Sequence, residues 1–211
     1  ILNIYFTAGY PELEDTVTIL KELQSAGADM VEIGMPYSDP VADGPVIQSS
    51  SEAALESGMS ITKLLQQLKE IRKEVSIPIM LMGYVNPVLQ YGITKFVKEV
   101  SDIGVDGLIL PDLPYFEYNS MYKELFEENN VSNIFLVTPQ TSNTRLKEID
   151  ISSKGFIYVV STNSTTGNDS KAIEGHSSNA YFERIQSIGL ENPTLIGFNI
   201  KDNLSFENAC N

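Results

Sequence analysis

The chain has 211 residues, of which 42% are hydrophobic and 20% charged. It therefore has enough apolar residues to bury one substantial core, and its length is that of about one domain. Its net charge of −14 argues against a nucleic-acid surface, because phosphate backbones are bound by clustered Lys and Arg, and the 14 here are dispersed. No apolar run approaches the roughly 20 residues that a membrane span needs, and the N-terminus has no signal-peptide pattern.

Short apolar runs alternate along the chain with longer segments whose apolar residues recur at helical spacing. This alternation predicts βαβ units with a parallel sheet. Seven strands are predicted, at residues 4–7, 30–34, 79–82, 107–110, 133–137, 156–160 and 194–198. Two helical stripes are predicted, one of Leu13, Val17, Leu20 and Leu23, the other of Ile61, Leu64, Leu65, Leu68 and Ile71.

Two similar junctions precede the second and fourth predicted strands, Ala26-Gly27-Ala28-Asp29 and Ile103-Gly104-Val105-Asp106. In each, the glycine can end a helix in the left-handed conformation. The repetition favours one α/β domain over residues 1–211, a (β/α)8 TIM-type barrel. A doubly wound open sheet competes, but no G-x-G-x-x-G follows the first strand. Because such barrels have about 250 residues, we expect the eighth unit and a leading helix to lie outside this sequence.

Glu32 is a candidate catalytic residue, since active sites of such barrels lie at the C-terminal ends of the strands. It stands in an apolar strand, where burial of a charge is costly. Alternatively, Glu32 could have a structural role, paired with a basic group. Lys21 is the only Lys or Arg among residues 1–48, so few local partners exist for such an ion pair. We expect burial to raise the pKa of Glu32, as a general acid near neutrality requires.

Asp43 follows in a loop stiffened by Pro36, Pro40 and Pro45. Asp43 is the second candidate catalytic residue, although the dipeptide Asp43-Gly44 taken alone is a common turn sequence. A loop this rich in proline is typical of a positioned active-site or docking segment.

The ends of the sixth and seventh predicted strands could contribute to a binding site. Tyr158 is followed by a polar stretch, 161–167, which could supply hydroxyls and backbone N–H groups to an anion or could be a flexible loop. Gly197 permits close backbone approach to a ligand.

Other chemistries have little support. Cys210 is the only cysteine, which permits no internal disulfide and favours the cytoplasm, and the single His176 lies in a polar stretch, so no metal site is predicted. Lys201 lies beyond the seventh predicted strand, which argues against a Schiff-base aldolase.

The chain resembles the tryptophan synthase alpha subunit family over nearly its whole length. The resemblance rests on four motifs: Tyr5-Phe6-Thr7-Ala8-Gly9, the highly specific segment 32–45 (EIGMPYSDPVADGP), Pro111-Asp112-Leu113-Pro114 and Gly155-Phe156-Ile157-Tyr158. It implies retro-aldol cleavage of indole-3-glycerol phosphate to indole and glyceraldehyde 3-phosphate, without a cofactor in this subunit. Glu32 would be the acid and then the base, and Asp43 would hold the indole N–H.

The resemblance also implies which residues bind the substrate. These are Tyr5, Thr7, Tyr158, Thr166, Gly167, Gly197 and Asn199. Asn199 stands where the family usually has glycine, and segment 164–167 reads Ser-Thr-Thr-Gly where Gly-Val-Thr-Gly is usual. The Gly-Ser segment that completes the family's phosphate pocket does not occur in the sequence, so we expect weak phosphate affinity.

A beta subunit containing pyridoxal phosphate is the partner that the resemblance implies, in an alpha2beta2 assembly, with Pro36, Asp39 and Pro40 at the docking surface. Two alternatives stay open. The chain could be another phosphate-binding barrel lyase or isomerase, or a mainly non-catalytic subunit that activates the beta partner.

Overall fold

The structure, a computed structural model, describes residues 1–160, 176–197 and Glu207. Strands and helices alternate along the chain, as the sequence pattern predicts. The strands are β1 (Asn3–Thr7), β2 (Met30–Gly34), β3 (Ile79–Met82), β4 (Gly107–Ile109), β5 (Ser132–Ile134), β6 (Leu136–Val137), β7 (Ile157–Val160) and β8 (Thr194–Gly197). The helices are α1 (Asp15–Ser25), α2 (Pro45–Glu56), α3 (Ile61–Leu68), α4 (Val85–Tyr91), α5 (Ile93–Ile103), α6 (Tyr115–Glu117), α7 (Lys123–Glu128), α8 (Asn143–Ser152) and α9 (His176–Ile188). A 3₁₀ turn (Ile71–Lys73) follows α3, and a π-helical segment (Tyr118–Tyr122) joins α6 to α7.

The strands form two sheets. Five strands have the order β1-β2-β3-β4-β5, and three have the order β6-β7-β8. β1 to β4 pair in parallel, as do β6 to β8. Neighbours in each sheet are consecutive in the chain, so neither sheet has the reversal of strand order that defines a doubly wound sheet.

One predicted strand is divided in the structure, whereas other predicted strands differ by at most one residue at an end among the described residues. The run 133–137 is divided between β5 and β6, with Phe135 between them. The Phe135 carbonyl still accepts the backbone N–H of Tyr158 at 2.9 Å, so the interruption does not end the hydrogen bonding towards β7. Residues 1–41 with 47–133 form one compact unit, and 42–46 with 134–211 form another. The expectation of a single domain stays a prediction.

The predicted helical stripe is found in α3, whereas in α1 only Leu20 of the predicted stripe is buried, Val17 and Leu23 are half-buried, and Leu13 precedes the helix. In α3, Leu64, Leu65 and Leu68 are buried, and Ile71 is buried in the 3₁₀ turn that follows. Ser60 begins α3, since its side chain accepts the backbone N–H of Lys63.

The N-terminal ends of β3 and β4 are held by Arg72. Its guanidinium donates to the carbonyls of Gly104 (2.8 Å) and Ile77 (2.7 Å) and forms an ion pair with Asp106. The Asp106 carboxylate also accepts the backbone N–H of Ile79 at 2.7 Å. Gly104 adopts a φ of 90° at the end of α5, as the junction motif predicts. This network fixes the strands at the end of the sheet away from the candidate site.

Among the described residues, no helix is both long enough and apolar enough to span a bilayer.

Candidate active site

Glu32 lies in the middle of β2 and is only 2% exposed. In the sheet register it lies between Tyr5 of β1 and Met80 of β3. Side chains at paired positions of adjacent strands project from the same face, so the carboxyl is flanked by an aromatic ring and a thioether. The strand around it is apolar throughout, which explains why it forms a buried central strand.

Burial raises the pKa of Glu32 to about 7 from its ordinary value of 4.5, although a hydrogen bond from Asn3 opposes the rise. The Asn3 side-chain amide donates from Nδ2 to Glu32 Oε1. No lysine or arginine of the described chain forms an ion pair with Glu32, so the Asn3 hydrogen bond offsets only part of the cost of burying its charge. A carboxyl with this pKa exchanges protons readily near neutral pH.

Tyr5 crosses the C-terminal end of β2. A Cβ atom on Gly34 would lie 2.1 Å from the Tyr5 hydroxyl oxygen and 2.6 Å from Cζ of the ring. Only glycine at this position therefore leaves room for the tyrosine.

Thr7, at the end of β1, is buried, and its hydroxyl lies 2.7 Å from the hydroxyl of Ser50 on α2. Ser50 in turn donates to the Ile47 carbonyl at 3.0 Å. This chain of hydroxyls ties the strand end to the helix that follows the motif loop.

Tyr158 and Gly197 repeat the tyrosine–glycine arrangement within the second unit. A Cβ atom on Gly197 would lie 2.0 Å from the Tyr158 hydroxyl oxygen. Tyr158 is paired in register with Leu195, two residues before Gly197, just as Tyr5 is paired with Glu32, two residues before Gly34. In both units a buried or half-buried tyrosine thus covers the last residue of the next strand.

Asp43 is half-buried and lies two residues before the start of α2. Asp43 belongs to the second unit and Glu32 to the first. The pairing of the two carboxylates in one site stays a prediction.

The loop that follows β2 contains the residues predicted to dock a partner. Asp39 is exposed, and its carboxylate accepts the hydroxyl of Ser38 at 2.7 Å. Pro36 and Pro40 are half-buried. The Asp39 carbonyl accepts the backbone N–H of Val41 at 2.9 Å, a local turn that presents the acidic side chain to solvent.

Three predicted binding residues, Thr166, Gly167 and Asn199, lie outside the described residues. Two others that contact the predicted site residues were not predicted, namely Asn3 and Ser50. Asn3, Tyr5 and Thr7 alternate along β1 and therefore share a face, so the polar residue at the start of this alternation was an available signal for Asn3. For Ser50 we find no such signal, because it lies on a helix whose orientation depends on tertiary packing.

Comparisons of the sequence and of the structure with known proteins point to the same family. The sequence profile of tryptophan synthase alpha chains matches residues 2–211. A tryptophan synthase alpha chain of Christiangramia forsetii is 53% identical over 209 residues, covering 99% of this chain and 81% of the relative. The crystal structure of tryptophan synthase subunit alpha from Legionella pneumophila has a TM-score of 0.85 at 34% identity, covering 95% of this chain and 73% of that one.

The crystal structure of a tryptophan synthase complex from Pyrococcus furiosus also matches, with a TM-score of 0.83 at 33% identity, covering 98% of this chain and 81% of that one. These structural neighbours are (β/α)8 barrels. The barrel fold class predicted from the sequence is therefore confirmed.

Proposed function

Because the chain belongs to the tryptophan synthase alpha chain family, we propose that Glu32 and Asp43 perform the family's cleavage of indole-3-glycerol phosphate. The chain is a carbon–carbon lyase of tryptophan biosynthesis, and its products are indole and glyceraldehyde 3-phosphate. The observation that most directly supports a role for Glu32 is its burial without a basic partner among the described residues, with a pKa of about 7.

The reaction breaks the bond between indole C3 and the side-chain carbon that bears a hydroxyl group. In our proposal, the protonated Glu32 first delivers its proton to C3, which leaves a positively charged indolenine ring. Asp43 accepts a hydrogen bond from the ring N–H and stabilises that positive charge. The Glu32 carboxylate then removes the hydroxyl proton as the C–C bond breaks, the bond electrons return to the ring, and an aldehyde forms. Glu32 ends protonated, so no external acid or base is consumed.

Burial suits this double role. A carboxyl with a pKa near 7 is protonated in a large fraction of molecules at neutral pH, and its conjugate base is strong enough to accept the hydroxyl proton. An exposed glutamate would be almost entirely ionised at that pH.

We further propose that Tyr5, Thr7, Tyr158 and Gly197 line the substrate pocket, and that Thr166, Gly167 and Asn199 contact the phosphate. The tyrosines offer flat apolar faces to an indole ring. Asn199 in place of the usual glycine supports weak phosphate affinity, which direct titration of a glycerol phosphate analogue would measure. Submicromolar binding would contradict that part of the proposal.

The test of the catalytic pair is indole release by Glu32→Gln and Asp43→Asn, each compared with Glu56→Gln. Glu56 is exposed at the end of α2 and serves as a matched control for the loss of one carboxylate. Because a positioned acid or base contributes about 10² to 10⁴ in rate, we expect kcat to fall at least about 100-fold in Glu32→Gln. Circular dichroism should show folded protein in every variant. Near-normal turnover in Glu32→Gln would remove Glu32 from the mechanism.

As partner we propose a tryptophan synthase beta subunit, in an alpha2beta2 assembly, with pyridoxal phosphate bound by beta and no cofactor in this chain. The exposed carboxylate of Asp39, between the half-buried Pro36 and Pro40, supports a docking surface on the loop after β2. Asp39→Lys should weaken association with beta in analytical ultracentrifugation and leave the basal cleavage rate of the isolated chain unchanged. Unchanged association would place the docking surface elsewhere. A single domain over 1–211 and a cytoplasmic location complete the proposal.

A further inference from the structure

Asn3 is the one hydrogen-bond partner that the described residues provide for the Glu32 carboxyl. It lies on β1 two residues before Tyr5, and Tyr5 is the register partner of Glu32. Residues two apart on a strand share a face, so Asn3 and Glu32 project to the same side of the sheet. The Nδ2 atom of Asn3 donates to Glu32 Oε1.

The other end of the Asn3 amide is unusual. Its Oδ1 atom is buried and has no hydrogen-bond partner in the described part of the chain. A buried amide oxygen left without a partner is costly, so its presence calls for a physical reason.

Rotation of the amide supplies such a reason. The last side-chain torsion of asparagine has a broad, roughly two-fold profile, and a half turn about it exchanges the positions of the amide nitrogen and oxygen. In one orientation Asn3 donates N–H to a carboxylate. In the other it accepts the O–H of a carboxylic acid.

We propose that Asn3 is a positioning residue that holds Glu32 in both of its protonation states, donating from Nδ2 to the carboxylate and accepting at Oδ1 from the acid. This inference depends on the proposed function of Glu32 as acid and then base, since only such a residue needs a partner in both states. Each proton transfer would be accompanied by one amide rotation, with no net change in hydrogen bonds.

The position of Asn3 separates it from the substrate. In the sheet register Asn3 pairs with Met30, at the start of β2, whereas substrates of such barrels bind beyond the C-terminal ends of the strands. The hydrogen bond reaches the carboxyl from the side opposite the substrate and involves Oε1. The acid has a single O–H, which it donates to Asn3 between transfers, and a half turn of the carboxyl about its two-fold terminal torsion brings that O–H to the substrate for delivery.

The direction of the electrostatic effect agrees with this arrangement. Asn3 lowers the pKa of Glu32, while burial raises it by more. Hydrogen bonds to a charged acceptor are about twice as strong as those between neutral groups, so removal of the amide should disfavour the carboxylate more than the acid. The pKa of Glu32 should therefore rise in a variant that lacks the amide.

The experiment follows the Glu32 carboxyl by infrared difference spectroscopy against Glu32→Gln, as a function of pH, in the wild-type chain and in Asn3→Val and Asn3→Leu. Two apolar replacements of different size are used so that, if one of them fails to fold, the other can still be measured. Asn3→Gln retains the amide and is the conservative control. We expect the titration midpoint to rise by about one pH unit in both apolar variants, because a hydrogen bond to a charged acceptor is about twice as strong as one between neutral groups. The alkaline limb of kcat/KM should move with it.

The same spectra test the acceptor role. At low pH the carbonyl stretch of the protonated acid should shift in the apolar variants, because the acid loses its O–H acceptor, and Asn3→Gln should restore both the band and the midpoint. A midpoint that moves without a band shift would overturn the acceptor role, and an unchanged midpoint would overturn the inference entirely. If Glu32→Gln itself cleaves indole-3-glycerol phosphate at a near-normal rate, the proposed function fails independently of any result at Asn3.

Discussion

The buried carboxyl of Glu32 should make the folded state less stable as the pH rises. The pKa of Glu32 is about 7 in the folded chain and about 4.5 in the unfolded one, where burial is lost. The folded state therefore binds an extra proton between these values, and its stability falls as the pH rises from about 4.5 through 7. The full difference in pKa corresponds to about 3 kcal/mol, which the folded state loses above pH 7.

Replacement of Glu32 by glutamine should remove this pH dependence. The glutamine side chain has nearly the same volume and no charge to desolvate, and its amide can still meet the Asn3 amide. We expect Glu32→Gln to be similar in stability to the wild-type chain at pH 4.5 and more stable than it by about 3 kcal/mol at pH 8. Activity and stability would then change in opposite directions, as is common where a functional group is held in an unfavourable environment.

The assay is urea unfolding at several pH values, monitored by circular dichroism because the chain has no tryptophan. Comparison is made between wild type, Glu32→Gln and the exposed control Glu56→Gln, so that the contributions of all other ionisable groups cancel in the difference. Hydrogen exchange of the β2 amides would report the same free energy locally, which is useful because the chain has two compact units. A stability difference between Glu32→Gln and wild type that stays constant from pH 4.5 to 8 would refute the reasoning.

Three further predictions concern other parts of the structure. Gly34→Ala should raise KM and lower kcat, because a Cβ atom 2.1 Å from the Tyr5 hydroxyl oxygen forces the ring to move. The same clash should lower the free energy of unfolding measured in urea, and adding Tyr5→Leu to the variant should restore it. Arg72→Met should lower the free energy of unfolding by about 2 to 4 kcal/mol, since it removes hydrogen bonds to three carbonyls and an ion pair. KM for the substrate should stay unchanged. Phe126→Ala should lower the free energy of unfolding by about 3 to 5 kcal/mol in thermal or urea unfolding, because this ring is fully buried. A decrease below about 1 kcal/mol would mean that neighbouring side chains fill the cavity.

Much of the fold was predictable because strands such as β2 and β7 are buried throughout, whereas helices such as α3 and α5 bury one face. The run 30–34 and the run 79–82 match β2 and β3 residue for residue. The division of the run 133–137 into β5 and β6 was not predictable, since apolar periodicity does not record where a strand passes from one sheet to the next. The π-helical segment Tyr118–Tyr122 has no sequence signal that we recognise.

The family assignment removes one of the two alternatives left open by the residues. A different barrel lyase or isomerase is not supported, because the family match covers residues 2–211. The balance between intrinsic cleavage and activation of a beta partner is decided by the rate of the isolated chain, which the Glu32→Gln comparison measures directly.

The sequence by itself determined where Glu32 stands, in an apolar strand far from most cations, and that is enough to infer a buried carboxyl with a raised pKa. Only the tertiary structure decided what surrounds it. Asn3 is 29 positions away and reaches the carboxyl because β1 and β2 pair in parallel with a specific register. The same register places Tyr5 over Gly34, and neither contact follows from composition or periodicity, since a shift of one residue would turn every side chain of β1 to the other face.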